Sequence, residues 1–448
     1  MLQSKSHLIS TFLNLTGAGM LLLLAASCSV IPRNYPANRP FVYETNIKIE
    51  GNFSKDERTI LVSQLKTQLD DSVKVRTVGK LLTQVLKNPP AYDSVNADKS
   101  VNFMKALLHS LGYLRDTITY DTLVVIKDAE PPQYRTTLNF YVKPGKLFRL
   151  DSISYNIEHP ELQVLTLAEV KNTLLKKGEA FSKYTISAEL DRLTEIYRDN
   201  GYLRFTKDEL IGYWDTLDVA LLRPTIDFSE QILLLQALEK RRENPTANIE
   251  IRFKPGFDTS KLKKFYVGYT TIYPDFGSDT SRFPIKKITV RTGTDIFYRR
   301  NLFRPKFLVD NLYFQQGDLY VQKDFLRTIN RFNALGAWKL VNIEQVPRDD
   351  GSDTVDFNVF LTPSNKYSFT ANIEGSRNTG QFLSEGSLLG LGGNLQLVNR
   401  NFGRTANQAT TTFRYGTELG IDSQFVQTRQ VSLSHSIYFP KPIPNSKL

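Results

Sequence analysis

Cysteine is nearly absent: the 448-residue chain has one, Cys28. No disulfide can form within the chain, and a structural zinc site of the cysteine-rich kind is excluded by count. The four histidines share no metal-ligand spacing. No Walker loop occurs, and Gly390-Leu391-Gly392-Gly393 lacks the spacing and strand-turn-helix setting of a dinucleotide fingerprint. No Gly-x-Ser-x-Gly elbow is present, which removes a hydrolase of that kind. Asp70-Asp71 and Asp349-Asp350 sit in turn-like surroundings and read as solvated charge. The net charge is +11, yet no run of five basic residues appears. Basicity spread this thinly argues against a nucleic-acid partner and suits work near an anionic membrane surface. No enzyme active site, metal or cofactor is expected.

The first 27 residues have Lys5 and His7 near the start, then an apolar run ending Leu24-Ala25-Ala26-Ser27. This is the layout of a secretory signal peptide, too short and too interrupted by Asn14 and Thr16 to span a bilayer comfortably. Cys28 comes directly after the small residues. The segment resembles the lipobox of bacterial lipoproteins, with Ala25 where that family usually has leucine. The resemblance implies that Cys28 becomes the first residue and carries lipid, whose methylenes bind membrane at about 0.8 kcal/mol each. Residues 28–40, with three prolines, read as a tether.

A pattern then recurs. Leu111-Gly112-Tyr113-Leu114-Arg115 is echoed by Asn200-Gly201-Tyr202-Leu203-Arg204 and, more loosely, by Leu335-Gly336-Ala337-Trp338-Lys339. Each reads as a helix end, a glycine cap and an aromatic residue that opens a strand. Upstream lie Ala91-Tyr92, Ala180-Phe181 and Leu319-Tyr320, with the aromatic 20, 20 and 16 residues before its glycine. Downstream lie alternating strands that stop at Pro144, Pro255 and Pro363. The spacing predicts three units, 41–145, 146–256 and 263–363, each strand, helix, helix, strand, strand. Unit two carries an insertion with a helical stretch from Phe228 to Arg242. Unit three has a long excursion from Tyr273 to Pro305.

After Pro363 helical spacing disappears. Tyr367, Phe369, Ala371 and Ile373 alternate with polar residues, and three further segments do the same around Leu391–Leu397, Thr411–Thr417 and Val431–Ile437. Segments of about ten residues, apolar on one face and polar on the other, are the signature of transmembrane β-strands. Residues 366–448 are thus expected to hold about four such strands. Four strands cannot close a barrel, so the chain is expected to be truncated at Leu448.

The glycine-aromatic caps, the three proline-stopped strands and the alternating tail together resemble the outer-membrane protein assembly factor superfamily (BamA/TamA-like). In that family tandem POTRA (βααββ) domains precede a transmembrane antiparallel β-barrel. Asn401-Phe402-Gly403 resembles the turn after the second barrel strand, and Phe439-Pro440-Lys441-Pro442 the turn after the fourth. With the lipobox, the order is most similar to the translocation and assembly module lipoproteins of Bacteroidetes-type bacteria. The resemblance implies an α+β chain at the outer membrane, lipid-anchored at Cys28, with its POTRA units in the periplasm. It implies unfolded outer-membrane clients, held by strand addition to a sheet edge, and a periplasm-spanning assembly partner. The β2-equivalent strands before Pro144, Pro255 and Pro363 are visible, but which edge is free is not. The other reading is a periplasmic lipid-anchored scaffold whose tail is a small soluble sheet.

Overall fold

The computed structural model describes residues 30–75, 77–80, 83–216, 227–277, 284–348, 350–378, 388–419 and 426–440. Cys28 and the signal segment lie outside the described residues. The chain forms two compact units, Met1–Leu190 with Leu210–Phe253, and Asp191–Glu209 with Lys254–Leu448.

In the first unit, β1 (Val30–Arg33) lies parallel to β4 (Thr83–Lys87), whose other neighbour is β3 (Thr77–Lys80). The stretch read as a tether is therefore ordered from Val30. The first repeat proper is built from β2 (Pro40–Ile49), α1 (Lys55–Thr67), α2 (Ser94–Ser110), β5 (Thr117–Lys127) and β6 (Gln133–Lys143). Ser54 and Glu57 form a capping box that starts α1, and the Asp93 carboxylate accepts the Val95 amide to start α2. Leu61 and Leu65 of α1 and Ala97, Met104 and Leu108 of α2 recur at helical intervals. They pack on Leu138, Phe140 and Val142, which alternate along one face of β6.

The second repeat has the same sheet order. In it β7 (Arg149–Asn156) runs parallel to β9 (Thr246–Phe253), with β8 (Leu210–Asp215) antiparallel on the other side. Its helices are α3 (Pro160–Ala168) and α4 (Lys183–Arg198), the latter crossing into the second unit. The expected helical insertion is α5 (Phe228–Glu243).

The second unit contains β10 (Tyr266–Tyr273), β11 (Lys286–Arg291), β12 (Thr294–Tyr298), α6 (Pro305–Val309), α7 (Gln322–Ala334), β13 (Trp338–Pro347) and β14 (Thr354–Pro363). Their sheet has the order β11-β12-β10-β14-β13. The excursion after Tyr273 is thus the hairpin β11–β12, which widens the sheet beside β10. The strands that stop at prolines, β6, β9 and β14, are interior strands of their sheets and not edges. The remaining strands, β15 (Tyr367–Asn378), β16 (Leu388–Phe402), β17 (Asn407–Leu419) and β18 (Val426–Tyr438), form an antiparallel meander.

The three glycines at the helix ends have φ of +93° at Gly112, +99° at Gly201 and +65° at Gly336. The Tyr113 amide donates to Leu108 O (2.9 Å) and the Tyr202 amide to Tyr197 O (3.2 Å), the six-to-one bond of a glycine-terminated helix. The aromatics differ from expectation. Trp338 opens β13, but β5 begins at Thr117 and β8 at Leu210, so Tyr113 and Tyr202 open no strand.

The intervening residues join one repeat to the next. Gly112 O accepts the Phe148 amide (3.0 Å), and Gly201 O accepts the Phe265 amide (2.9 Å). The guanidinium of Arg115 lies 5.5 Å from the Phe148 ring, and that of Arg204 lies 5.2 Å from the Phe265 ring. Phe148 O and Phe265 O then accept the amides of Phe181 and Tyr320. Next to those aromatics, Ala91, Ala180 and Leu319 each make an antiparallel bridge to the start of their repeat, at Phe41, Arg149 and Tyr266.

A Cβ at Gly112 would stand 2.4 Å from Phe181 O, whereas one at Gly336 would meet nothing within 4 Å. Gly336→Ala is expected to cost about 1 kcal/mol, from backbone conformation alone. Gly112→Ala adds a steric clash with backbone and is expected to cost about 3 kcal/mol. Urea denaturation of the two variants checks the difference, and equal losses would contradict it.

Candidate functional site

Two surfaces stand out, an open strand edge in the first unit and an uncovered sheet face in the second. The edge belongs to β5. It has β6 on one side, and among the described residues no strand pairs with its other side. Near its start the strand is anchored: Ile118 is buried, and the Tyr120 hydroxyl donates to Asp98 (2.9 Å). Burial, helped by Asp98, pushes the Tyr120 pKa up to about 12. Further along, Leu123, Val124, Val125 and Ile126 are all exposed, Ile126 at 64%. Edge strands are normally blunted by charge, proline or a bulge. This one has four consecutive aliphatics, Leu123 to Ile126, directly before Lys127. The other post-glycine edges are better covered. On β8, Trp214 packs edge-on against Phe181 at 5.2 Å, and Tyr213 lies under the Arg252 guanidinium at 4.6 Å. On β13, Lys339, Asn342 and Glu344 interrupt the apolar residues.

The uncovered face belongs to β15–β18. Register places Phe369 opposite Leu397, Ala371 opposite Leu395 and Ile373 opposite Gly393. The same lines of side chains continue to Phe413 and Leu433, and to Tyr415 and Val431. Ile373 is 93% exposed and Leu433 74%. The other face carries Asn372, Asn394, Gln396, Thr412 and Ser434. There Arg414 donates to Glu374 across β16 (3.3 Å).

The turn between β16 and β17 holds this sheet against the third repeat. Asn401 Nδ2 donates to Leu302 O (2.8 Å), and Asn401 Oδ1 accepts the Ala406 amide (3.1 Å). Gly403, Arg404 and Ala406 all have positive φ, which curls the turn tightly. Phe402 is exposed, while Ala406 enters the core of the third repeat. Arg404 O accepts the Arg304 amide (3.0 Å). At the far edge of the sheet Arg331 donates to Pro440 O (3.1 Å). The turn after β16 and the residue that follows the end of β18 therefore meet the same repeat.

The sequence-derived residues thus fall into separate places. Gly112, Tyr113, Gly201 and Tyr202 lie at junctions between repeats. Gly336 and Trp338 close the third repeat, where the Trp338 indole donates to Pro274 O (3.2 Å). Tyr367, Phe369, Ala371 and Ile373 share one face of the sheet, and Asn401, Phe402 and Gly403 form its docking turn. Sequence reasoning missed the exposed edge of β5, although Leu123-Val124-Val125-Ile126 is a visible apolar run. Among the described residues no group of three His, Cys, Asp or Glu side chains is placed to hold a metal, and no helix is long and apolar enough to cross a membrane.

No family model and no curated protein matches the chain. Solved structures similar to it include POTRA3–5 of Haemophilus influenzae BamA, at 14% identity and TM-score 0.31, covering 74% of this chain and 99% of that one. BamA of Haemophilus ducreyi lacking POTRA domains 1–3 is 13% identical with TM-score 0.31, over 60% of this chain and 43% of that one. CdiB of Acinetobacter baumannii is 12% identical with TM-score 0.26, over 61% and 39%. At these identities and scores the functional reading rests on the chain's own residues.

Asn401→Ala would leave Leu302 O and the Ala406 amide without their partner. The expected loss is about 2 kcal/mol. Faster hydrogen exchange at Ala406 would report it, and unchanged exchange there would contradict the docking role.

Proposed function

We propose that this chain is a non-enzymatic assembly factor of the bacterial outer membrane. In this reading its repeats hold extended segments of unfolded outer-membrane proteins, and β15–β18 belong to a membrane-embedded barrel. The observation that carries the reading is the uncovered apolar face of β15–β18, held by its turns on a soluble repeat. Leu389 to Leu397 spans eight strand steps, about 27 Å along the strand at roughly 3.4 Å each. Tilted as membrane strands are, that is an apolar band about 20 Å tall, near the height such barrels present to lipid. In water this face would be a large contiguous apolar patch of the kind monomeric soluble proteins rarely expose. The scaffold reading needs a cover for it, and no described residue supplies one.

The finer assignments extend this reading. Cys28 carries a lipid and joins the chain to the membrane a second time. The free edge of β5 accepts a client strand by main-chain hydrogen bonding, with its aliphatic side chains giving apolar contact. A periplasm-spanning partner would use the same chemistry.

Two outcomes are expected. Expressed from its full reading frame, the Cys28→Ser protein remains in the outer-membrane fraction and keeps heat-modifiable migration on a gel. Release into the soluble fraction would favour the scaffold. For the edge, Val124→Lys with Ile126→Lys should change folding stability by no more than about 1 kcal/mol, since both side chains are exposed. Crosslinking of an unfolded client to β5 should fall at least several-fold. Unchanged crosslinking would place client binding elsewhere.

A further inference from the structure

Four cations follow one another closely from the loop after β12 into the first turn of α6: Arg299, Arg300, Arg304 and Lys306. The turn between β16 and β17 brings Arg404 beside them, through the Arg304 amide and through guanidinium bonds to Asn301 and Phe303 O. Arg400 precedes that turn, and its amide donates to Lys366 O (2.8 Å). Three segments distant in sequence therefore gather seven positive charges at one end of the sheet.

Carboxylates are scarce along these segments. Residues 296–309, 357–373 and 386–417 contain no Asp or Glu. Asp275 does reach this loop, but it is 6% exposed and accepts the backbone amides of Arg299 (2.9 Å) and Arg300 (2.8 Å). The next acidic residue along the chain, Asp310, lies beyond α6. Arg300, Arg304 and Lys306 are exposed and have no carboxylate partner among the described residues.

Aromatic residues mark the same end. Tyr367 opens β15, Phe402 sits in the turn, and Tyr438 and Phe439 close β18, all of them exposed. Lys366 lies 5.2 Å from the Tyr367 ring centroid. Aromatic rings at the end of an apolar band are the mark of a headgroup level.

We infer that this cationic collar binds the headgroups of anionic phospholipids in the leaflet that faces the third repeat. The inference rests on the reading that β15–β18 lie in a membrane. Arginine suits the task, because its planar donors match phosphate oxygens in pairs. The collar then fixes the depth of the sheet, and with it the height of the third repeat above the bilayer surface.

The test uses the full chain reconstituted in bilayers of mixed phosphatidylglycerol and phosphatidylcholine. After extraction in non-ionic detergent, native mass spectrometry counts the lipids retained. The wild type is expected to retain phosphatidylglycerol in preference. Arg300→Gln/Arg304→Gln/Lys306→Gln should lose the preference, its affinity falling about five-fold per charge, or roughly a hundred-fold for three. Added salt should weaken the wild-type preference. Equal retention of both lipids by the wild type would overturn the inference, as would an unchanged triple variant. Displacement of the lipid by millimolar inorganic phosphate would also overturn it, in favour of a free-phosphate site. The triple variant should still enter neutral phosphatidylcholine bilayers. If neither protein enters any bilayer, the reading of the sheet fails and the inference with it.

Discussion

The carbonyl of Gly112 can accept the amide of Phe148 only because no side chain projects from the glycine into Phe181 O. That single constraint links three levels of the structure. It ends helix α2 with a left-handed residue, it seats the next repeat against the first, and it fixes where Arg115 can cover Phe148. Gly201 repeats the arrangement with Phe265 and Arg204. A glycine, a carbonyl and an arginine at fixed spacing therefore tie the end of a helix to the start of the next repeat's first strand, and the chain uses them twice.

The third repeat departs from this pattern because it leads into a β-meander and not into another repeat. Gly336 has open space around its missing Cβ. The Ala337 carbonyl instead accepts the amide of Ser364, which leads into β15. The sheet is then held through Asn401 and Arg404 in the turn after β16 and through Pro440 just past β18. These contacts leave the apolar face of β15–β18 without a protein cover among the described residues. In the proposed reading lipid covers that face, and the cationic collar at its end meets lipid headgroups.

Much of this was legible in the sequence, for reasons that differ by element. The glycine caps could be read because a left-handed helix end demands a particular residue. Strands β6, β9 and β14 could be read because one face of each is fully buried, which enforces alternation. Their place in the middle of the sheets could not, since alternation reports burial and not neighbours. The hairpins β3–β4 and β11–β12 escaped because strands of four to six residues leave too few positions for a period to show. Tyr113 and Tyr202 misled for a physical reason. An aromatic after a cap can be buried by a junction as well as by a sheet. The collar was hidden because its charges sit in three separate segments, and only the docking of the Asn401 turn brings them together.

The central claim is that one face of β15–β18 meets lipid. Spin labels placed one at a time along β16, from Leu389 to Leu397 in a Cys28→Ser background, test it most directly in the reconstituted chain. Collision with oxygen and with a polar relaxant should alternate with a period of two. Labels at Leu391, Leu395 and Leu397 should be reached by oxygen, and labels at Gly392, Asn394 and Gln396 by the polar reagent. Equal access of the polar reagent to both sets would contradict the account.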